Sequence, residues 1–308
     1  MLNGYKVVVL GSSGITETHL KALKNIKEYE LKYIVGKNFN KAKALATKYN
    51  IEALNEVNDN ILNECNLAVI TNSTKSHYKS ILQLSNKIKN FIIEKPLVGN
   101  LEEFNKLKEV IEKQKLNLLE VSQNKYAPFL KKHKSKTPYL EIIIKKNRNN
   151  NDYIDYEDQF DFYKNPISSQ MPHWIDISEY LIGPYLDIAK VVKKKIGDCR
   201  FNNFFEIYFS NTNDKKCKII LDFSHTKNEP TKIYFLKKHY VFDDHKLIKR
   251  IKNTLIKKFN LITPITFQEK AFKLMYEDYL KRLNNSETIT PTLYQNKIKI
   301  ITKLYEHL

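Results

Sequence analysis

The feature that most constrains the fold is an alternation of short apolar runs with amphipathic helical patterns over residues 1–123. Continuous apolar runs separated by helices are typical of parallel strands that are buried on both faces of a sheet. We therefore predict an α/β fold whose N-terminal part is one doubly wound parallel sheet of six strands. The clearest runs are Tyr5–Leu10, Leu31–Val35, Leu67–Thr71, Asn90–Ile93 and Leu118–Val121.

Beyond residue 123 strands follow one another with few helices between them. This rhythm favours a predominantly antiparallel open sheet in an α+β domain over 124–308. One helix, Ser168–Gly183, interrupts the strands. A closing helix at about 292–307 is expected to pack back on the first domain. The strands are predicted at Tyr139–Ile144, Leu186–Val192, Phe204–Ser210, Lys218–Ser224 and Thr231–Phe235.

Length and composition agree with two cores. With 308 residues and 42% apolar content, the chain can bury one large core or two. The change in the pattern of strands and helices after residue 123 indicates two. No window approaches the roughly 18 consecutive apolar residues of a membrane span. The N-terminus lacks the basic, apolar and cleavage regions of a signal peptide. We therefore expect a cytoplasmic protein.

Neither a metal centre nor a nucleic-acid surface is predicted. The 3 cysteines and 8 histidines are dispersed without metal-ligand spacing. The net charge of +18 raises the alternative of a nucleic-acid partner. However, the lysines are spread along every helix, arginines are few, and no basic stripe alternates with aromatic residues. We expect the charge mainly to attract small anions.

The turn after the first strand matches part of a dinucleotide fingerprint. Gly11 takes the first glycine position, whereas Ser13 and Thr16 occupy the other two. Ser13 is small enough to let the backbone approach a diphosphate, while Thr16 is expected to push the helix slightly off the sheet. The turn opens a helix, whose free N–H groups favour anions. The predicted cofactor contacts here are Gly11, Ser12, Ser13, Gly14 and Ile15.

The end of the second strand bears on which dinucleotide is bound. Gly36 and Lys37 stand where NAD-preferring sites usually carry an acid for the ribose 2′-hydroxyl. Glycine leaves room and lysine offers positive charge, which favours NADP(H) over NAD(H). The alternative is that Lys37 is an ordinary solvated turn lysine.

Polar residues also follow two later strands at the predicted carboxyl edge of the sheet. After Leu67–Thr71 come residues suited to a nicotinamide ribose or diphosphate, and we predict cofactor contacts at Thr71, Asn72, Ser73 and His77. Asn90–Ile93 ends abruptly on Glu94, Lys95 and Pro96. Open α/β sheets bind ligands at this edge. Because Pro96 keeps Lys95 out of helical geometry, the lysine leaves the strand with a fixed heading.

The order of these motifs resembles the Gfo/Idh/MocA family of NAD(P)-dependent oxidoreductases along nearly the whole chain. The resemblance implies a Rossmann domain, a second α/β domain whose open sheet often forms a dimer interface, and redox chemistry at a carbinol carbon of a sugar, sugar nucleotide or cyclitol. A homodimer or homotetramer through the C-terminal sheet is therefore expected. The motifs are Gly11–His19, Val69–His77, Glu94–Pro96, Asn124–Pro128, and His173 and Asp176 with Gly183.

The resemblance also implies roles for single residues. Lys95 corresponds to the catalytic lysine that contacts the reacting oxygen and the nicotinamide ribose, with Glu94 beside it. His173 corresponds to the acid or base, and Asp176 to the acid one turn on. Tyr126, together with Lys95, His173 and Asp176, is expected to bind the substrate.

Two positions depart from the family pattern. Ser169 stands where an acid often precedes the histidine, and Lys125 replaces a common arginine, which is not an equivalent anion contact. The proton route from His173 could therefore be shorter, rerouted through Asp176, or absent. A family member that binds cofactor or ligand without turnover is the alternative to an active enzyme.

Overall fold

A computed structural model of the chain describes residues 4–127, 130, 134, 137–147, 166–184, 186–197, 202–225, 229, 231–235, 238–243, 246–250, 264–285 and 291–305. Pro128 and the side chain of Ser169 lie outside this description. The chain forms two compact units. The first contains Met1–Gln123 with Phe272–Tyr294, and the second contains Asn124–Ala271 with Gln295–Leu308.

The first unit contains a six-stranded sheet in the order β3-β2-β1-β4-β5-β6, and each neighbouring pair is parallel. The predicted Rossmann-type parallel sheet is thus confirmed. The short strand β3 had not been located from the sequence, because its three residues lack a buried apolar run. The strands are β1 Tyr5–Leu10, β2 Tyr29–Val35, β3 Glu52–Leu54, β4 Leu67–Ile70, β5 Asn90–Ile93 and β6 Asn117–Glu120.

Helices separate these strands. Three of them begin at an asparagine whose side-chain oxygen accepts a backbone N–H of the first turn, which compensates a donor that would otherwise lack a helical partner. The three caps are Asn38, Asn58 and Asn100. The helices are α1 Gly14–Lys24, α2 Phe39–Tyr49, α3 Asp59–Glu64, α4 Thr74–Ser85 and α5 Leu101–Gln114.

The second unit contains a seven-stranded sheet in the order β13-β12-β11-β7-β10-β9-β8. Strands β7 and β10 pair in parallel, and the other pairs are antiparallel, which confirms the predicted sheet type. Strands β12 and β13 had not been predicted. The strands are β7 Tyr139–Asn147, β8 Asp187–Lys194, β9 Phe204–Ser210, β10 Lys216–His225, β11 Thr231–Phe235, β12 Lys238–Asp243 and β13 Lys246–Arg250.

One face of this sheet carries the core of the second unit. Along β9, and over Cys217–Leu221 of β10, buried side chains alternate with half-buried ones, as the two-residue period of a strand requires. The helix α6, Pro166–Ile182, contributes Met171, Ile175 and Ile177 to the same core.

Two helices close the chain, α7 Pro264–Asn284 and α8 Pro291–Tyr305. The segment Phe272–Tyr294 lies in the first unit, so the division differs from a single boundary at residue 123. The reason is visible in α7, where the buried Tyr279 donates its hydroxyl to the carbonyl of Phe91, 3.0 Å away. No helix among the described residues is long and apolar enough to cross a membrane.

Candidate active site

The carboxyl ends of four parallel strands meet at one edge of the first unit's sheet. Backbone hydrogen bonds continue past the strands, from Thr71 N to Leu10 O at 2.7 Å, from Glu94 N to Ile70 O at 2.9 Å and from Val121 N to Ile93 O at 2.7 Å. The residues that follow β1, β4, β5 and β6 are therefore neighbours. This edge holds the predicted fingerprint turn and the Glu94-Lys95-Pro96 motif.

Glu94 is held at this edge by a buried histidine. Its Oε1 atom lies 2.8 Å from Nε2 of His19, and its Oε2 atom accepts the Lys95 N–H at 3.1 Å. The Nδ1 atom of His19 forms a short hydrogen bond with the hydroxyl of Tyr276. Burial by itself would raise the pKa of Glu94, but His19 and Lys95 hold that pKa below its usual range. Glu94 is therefore an anion at neutral pH.

Lys95 follows Glu94 in a largely buried loop and is joined to Pro96 by a cis peptide bond. Burial lowers the pKa of Lys95, and the carboxylates of Glu94 and Glu120 partly oppose this shift. A lysine with a lowered pKa exchanges its proton more readily near neutrality. Its setting thus suits an acid or base as well as a contact to a polar oxygen.

The loop that carries Lys95 is fixed at Leu97 from two sides. The Nδ1 atom of His77 lies 3.1 Å from Pro96 O and 3.2 Å from Leu97 O, and Nε2 lies 3.0 Å from Asn72 O. Glu120 Oε1 accepts the Leu97 N–H at 2.9 Å. His77 is fully buried, so it joins the loop after β4 to the loop after β5. A direct contact of His77 with a cofactor stays a prediction.

The fingerprint turn is closed by Thr16. Its hydroxyl accepts the Ser13 N–H at 3.0 Å and lies 2.8 Å from Oγ1 of Thr71. Thr71 Oγ1 also donates to Leu10 O at 3.0 Å. Gly11 has φ +139°, and a Cβ there would collide with Thr71 Oγ1, so the turn needs glycine. The threonine in the third fingerprint position thus fills the turn with a hydrogen-bonded hydroxyl.

Several other predicted cofactor residues lie at the same edge. Gly36 is buried, and a Cβ on it would lie 2.9 Å from Ser12 Cβ and 3.0 Å from Ala42 Cβ, so close packing requires this glycine. Lys37 is exposed on the turn after β2. Ser13, Gly14 and Ser73 are also exposed, whereas Ser12, Ile15 and Asn72 are half-buried.

Two amide oxygens at this edge are buried without a hydrogen-bond partner among the described residues. They are Oδ1 of Asn72, which follows β4, and Oε1 of Gln123, which follows β6. The Asn72 amide nitrogen is occupied, since it donates to Ser80 Oγ at 3.0 Å. Buried polar atoms normally have a partner. These two acceptors therefore fit a ligand that brings N–H or O–H donors to the edge.

The second group of predicted residues lies on α6 in the second unit. His173 is half-buried, and Asp176, three residues on, is buried. Asp176 Oδ1 forms an ion pair with the buried Nζ of Lys297 at 2.7 Å. Burial, followed by the charge of Asp176, raises the pKa of Glu179 to about 7. Asp176 is thus paired with a buried lysine, and its charge also acts on the half-buried Glu179.

The remaining substrate residue, Tyr126, is half-buried in a 3-10 turn, Gln123–Tyr126, with the Lys125 ammonium 5.5 Å from its ring centroid. His173, Asp176 and Tyr126 belong to the second unit, whereas Lys95 and the fingerprint turn belong to the first.

Sequence reasoning missed four residues that make these contacts. Glu120 could have been found by the rule that selected Glu94, because it is also an acid at the end of an apolar strand. His19 was noted only as the end of a motif. Tyr276 and Lys297 could not have been found, since they contact residues 257 and 121 positions away.

A comparison with family models matches residues 5–122 to the oxidoreductase family GFO_IDH_MocA, described as having an NAD-binding Rossmann fold. The match confirms the resemblance inferred from the motifs. No curated protein matches the chain.

Solved structures share the fold along nearly the whole chain. UDP-N-acetylglucosamine 3-dehydrogenase GnnA from Acidithiobacillus ferrooxidans is 14% identical with a TM-score of 0.74, over 99% of this chain and 98% of that chain. A myo-inositol dehydrogenase from Corynebacterium glutamicum ATCC 13032 is 14% identical with a TM-score of 0.74, over 98% and 95%. GenD2 from gentamicin A biosynthesis, solved with NAD, is 12% identical with a TM-score of 0.75, over 100% and 95%.

Proposed function

We propose that this chain, whose residues 5–122 carry the NAD-binding domain of the Gfo/Idh/MocA oxidoreductase family, is an NADP(H)-dependent dehydrogenase or reductase acting on CH–OH groups. The substrate class proposed is a sugar, sugar nucleotide or cyclitol. Sugar-nucleotide and inositol dehydrogenases among the structures of the same fold support this class.

The observation that carries the proposal is the setting of Lys95. It lies at the carboxyl edge of a parallel sheet, where such sheets bind ligands. Its loop is fixed through Leu97, and burial lowers its pKa while Glu94 and Glu120 oppose the shift.

The residues at this edge fit a nicotinamide dinucleotide. Gly11 and the exposed start of α1 at Ser13 and Gly14 offer a turn and helix N-terminus for a diphosphate. Asn72 Oδ1, which has no hydrogen-bond partner in the described part of the chain, can accept a hydrogen bond from a ribose hydroxyl or a carboxamide. When bound, the cofactor supplies or accepts the hydride, which is the difficult chemical step.

The chain's own residues then have to orient the substrate and move one proton. In the reductive direction, Lys95 would polarise the carbonyl oxygen by a charge-assisted hydrogen bond. His173, or Lys95 itself, would donate the proton, and such general acid catalysis contributes about 100- to 10,000-fold. Tyr126 and Asp176 are proposed to contribute to substrate binding. Asp176 Oδ1 is paired with the Lys297 ammonium at 2.7 Å.

Preference for NADP(H) rests on the second strand. The turn after β2 presents an exposed Lys37 and no carboxylate directly after Gly36. A 2′-phosphate would gain a cation there, whereas a 2′-hydroxyl would find no acid.

We also propose a homodimer or homotetramer formed through the open sheet of the second unit. Its outer face carries the half-buried Ile143, Tyr208 and Ile220 beside the exposed Tyr139. On the same face Lys218 lies 3.5 Å from Glu141 and 3.4 Å from Glu206. Aromatic residues such as Tyr139 and Tyr208 are enriched at interfaces between subunits, which supports this assembly.

One observation favours a second candidate, a family member that binds ligand without turnover. The Thr16 hydroxyl already accepts the Ser13 N–H, so that donor is occupied within the protein. If the Ser13 N–H stays bonded to Thr16, it cannot donate to a diphosphate, and cofactor binding is weakened.

Titration with NADPH and NADH separately, followed by nicotinamide fluorescence and melting temperature, tests the proposal. We expect both signals to respond, and to NADPH at lower concentration. No response to either cofactor would remove the enzyme function. Salt-sensitive retention on duplex DNA without cofactor binding would instead support a nucleic-acid partner. Cofactor binding without turnover on any sugar-type alcohol or ketone tried would favour the second candidate.

A further inference from the structure

Three hydroxyl groups lie together at the turn after β1, and two of them are buried. Thr16 is 0% exposed and Thr71 is 3% exposed, whereas Ser13 is exposed. Thr16 Oγ1 is the central atom, 2.8 Å from Thr71 Oγ1 and 3.3 Å from Ser13 Oγ. A glycine in the place of Thr16, as in the dinucleotide fingerprint, would leave this group without its central hydroxyl.

The direction of the hydrogen bonds follows from the carbonyl at one end of the group. Leu10 O lies 3.0 Å from Thr71 Oγ1, and because a carbonyl only accepts, the Thr71 proton is given to Leu10. Thr71 Oγ1 is therefore the acceptor of the Thr16 proton. Thr16 Oγ1 in turn accepts the Ser13 N–H at 3.0 Å. One chain of hydrogen bonds thus runs from the Ser13 N–H through two threonine hydroxyls to the last carbonyl of β1.

This chain of hydrogen bonds joins two segments that are both predicted to contact the cofactor. Thr16 belongs to the fingerprint turn and its helix, whereas Thr71 follows β4, 55 positions further on. A Cβ on Gly11 would lie 3.0 Å from Thr16 Oγ1 and would collide with Thr71 Oγ1, so both hydroxyls also pack against the turn's glycine. The turn is therefore fixed to the start of the loop that carries Asn72.

We propose that Thr16 is a positioning residue for the dinucleotide, whose hydroxyl holds the fingerprint turn and the loop after β4 in one arrangement before the cofactor binds. The inference rests on the proposed function, since the turn has to be ordered only if it receives a diphosphate. The Ser13 N–H is then used within the protein, and the exposed Ser13 hydroxyl and Gly14 N–H face the diphosphate. A turn that is already ordered lowers the free-energy cost of binding.

Amide hydrogen exchange followed by NMR tests the hydrogen bond in the free protein. Thr16→Val keeps the shape of the side chain and removes the hydroxyl, so the Ser13 N–H loses its acceptor. We expect the Ser13 amide to exchange about tenfold faster in the variant, while the amides of the buried strand β1 keep their wild-type rates. An unchanged Ser13 rate would overturn the proposal. An equal acceleration throughout β1 would also overturn it, because general destabilisation would then explain the result.

Fluorescence titration tests the effect on the cofactor. NADPH and NADH carry the same diphosphate, so Thr16→Val should weaken the binding of both by about tenfold. Thr16→Ser retains the hydroxyl and should bind both within about threefold of the wild type. Unchanged or tighter binding by Thr16→Val would overturn the proposal, since Thr16 would then only withhold the Ser13 N–H from the diphosphate.

Thr18→Val is the matched control. Thr18 lies on the same helix, and its hydroxyl donates within that helix, to Gly14 O at 3.4 Å. The control should leave Ser13 exchange and both affinities unchanged, and equal losses in Thr18→Val and Thr16→Val would contradict the proposal. If Thr16→Val does not fold, Thr16→Ala takes its place, since it removes the hydroxyl with a smaller side chain, and the same losses are expected.

Failure of the inference can be told apart from failure of the proposed function. Absence of NADPH and NADH binding in the wild type would refute the proposed function without changing the exchange of the Ser13 amide. A Ser13 amide that exchanges as fast in the wild type as in Thr16→Val would refute the role of Thr16, whatever the wild type binds.

Discussion

Oε1 of Glu94 lies 2.8 Å from Nε2 of His19, although 75 positions separate the two residues in the chain. His19 stands on α1, the helix that starts at the fingerprint turn, and Glu94 directly precedes Lys95. The pair therefore connects the proposed diphosphate site to the proposed catalytic loop. Phe272 packs edge-on against the His19 ring at 4.9 Å, which helps keep water away from the pair.

We expect His19→Ala to destabilise the first unit by about 3 kcal/mol, because it leaves the buried Glu94 carboxylate without its partner. Urea unfolding at pH 7 measures the loss. The lowered pKa of Glu94 stabilises the fold above the ordinary carboxyl pKa, and this contribution disappears as pH falls through the lower folded value. The difference between wild type and variant should therefore shrink under acidic conditions. His225→Ala is the control, since its partner Asp222 keeps two bonds from Ser224, and the expected cost is about 1 kcal/mol or less.

Lys95→Met should lower kcat on an identified substrate by about 100-fold or more while NADPH still binds, because the substitution removes the proposed oxygen contact and one of the two proposed proton donors. Steady-state kinetics and fluorescence titration measure the two effects. Lys87→Ala provides the comparison, since Lys87 is exposed before β5 whereas Lys95 follows it. Full activity of Lys95→Met would refute the role of this lysine.

Lys37→Ala should weaken NADPH binding by about tenfold and leave NADH binding unchanged, because a charge-assisted bond to the 2′-phosphate would be lost. Fluorescence titration with each cofactor gives the ratio of the two dissociation constants. Lys41→Ala, an exposed lysine of α2, should leave both affinities unaltered. Equal weakening of NADPH and NADH would contradict the proposed preference.

Glu179→Gln should stabilise the protein at pH 8 but not at pH 4.5. Burial, then Asp176, raises the pKa of Glu179 to about 7, so the folded state binds a proton that the unfolded state has already released. The free energy of unfolding therefore falls by on the order of 3 kcal/mol as the pH rises from the ordinary carboxyl pKa to the pKa of the folded state. Urea unfolding at both pH values tests this. Glu229→Gln, a substitution at a half-exposed glutamate, serves as the reference. A gain in stability of Glu179→Gln that does not depend on pH would count against the explanation.

Much of the fold followed from local patterns. Strands β9 and β11 have the bounds that their alternating residues predicted, Phe204–Ser210 and Thr231–Phe235. Asn38 caps α2, with its Oδ1 accepting the Lys41 N–H at 3.1 Å, and asparagine is a common helix cap. These features depend on neighbours within a few residues, which a single sequence displays directly. Strand β3 is too short for such a pattern.

Only part of the candidate site could be predicted from local sequence patterns. Motif order singled out Lys95, Glu94, His173 and Asp176, and the roles of these residues stay predictions. The partners that set their charges were not evident. His19 and Lys297 carry no local pattern that distinguishes them from other buried or solvated residues, because their function depends on a residue far away in the chain.

The sequence by itself determined the parallel sheet, its turn at Gly11 and the lysine at the end of β5, since hydrophobic periodicity and turn chemistry are local properties. The tertiary structure alone decided that Tyr276, His19 and Glu94 form a chain of hydrogen bonds, that Glu120 holds Leu97, and that Lys297 neutralises Asp176. The physical reason is that a buried charge is stabilised by whichever group the folded chain places within hydrogen-bond reach, and that proximity arises only when distant segments pack together.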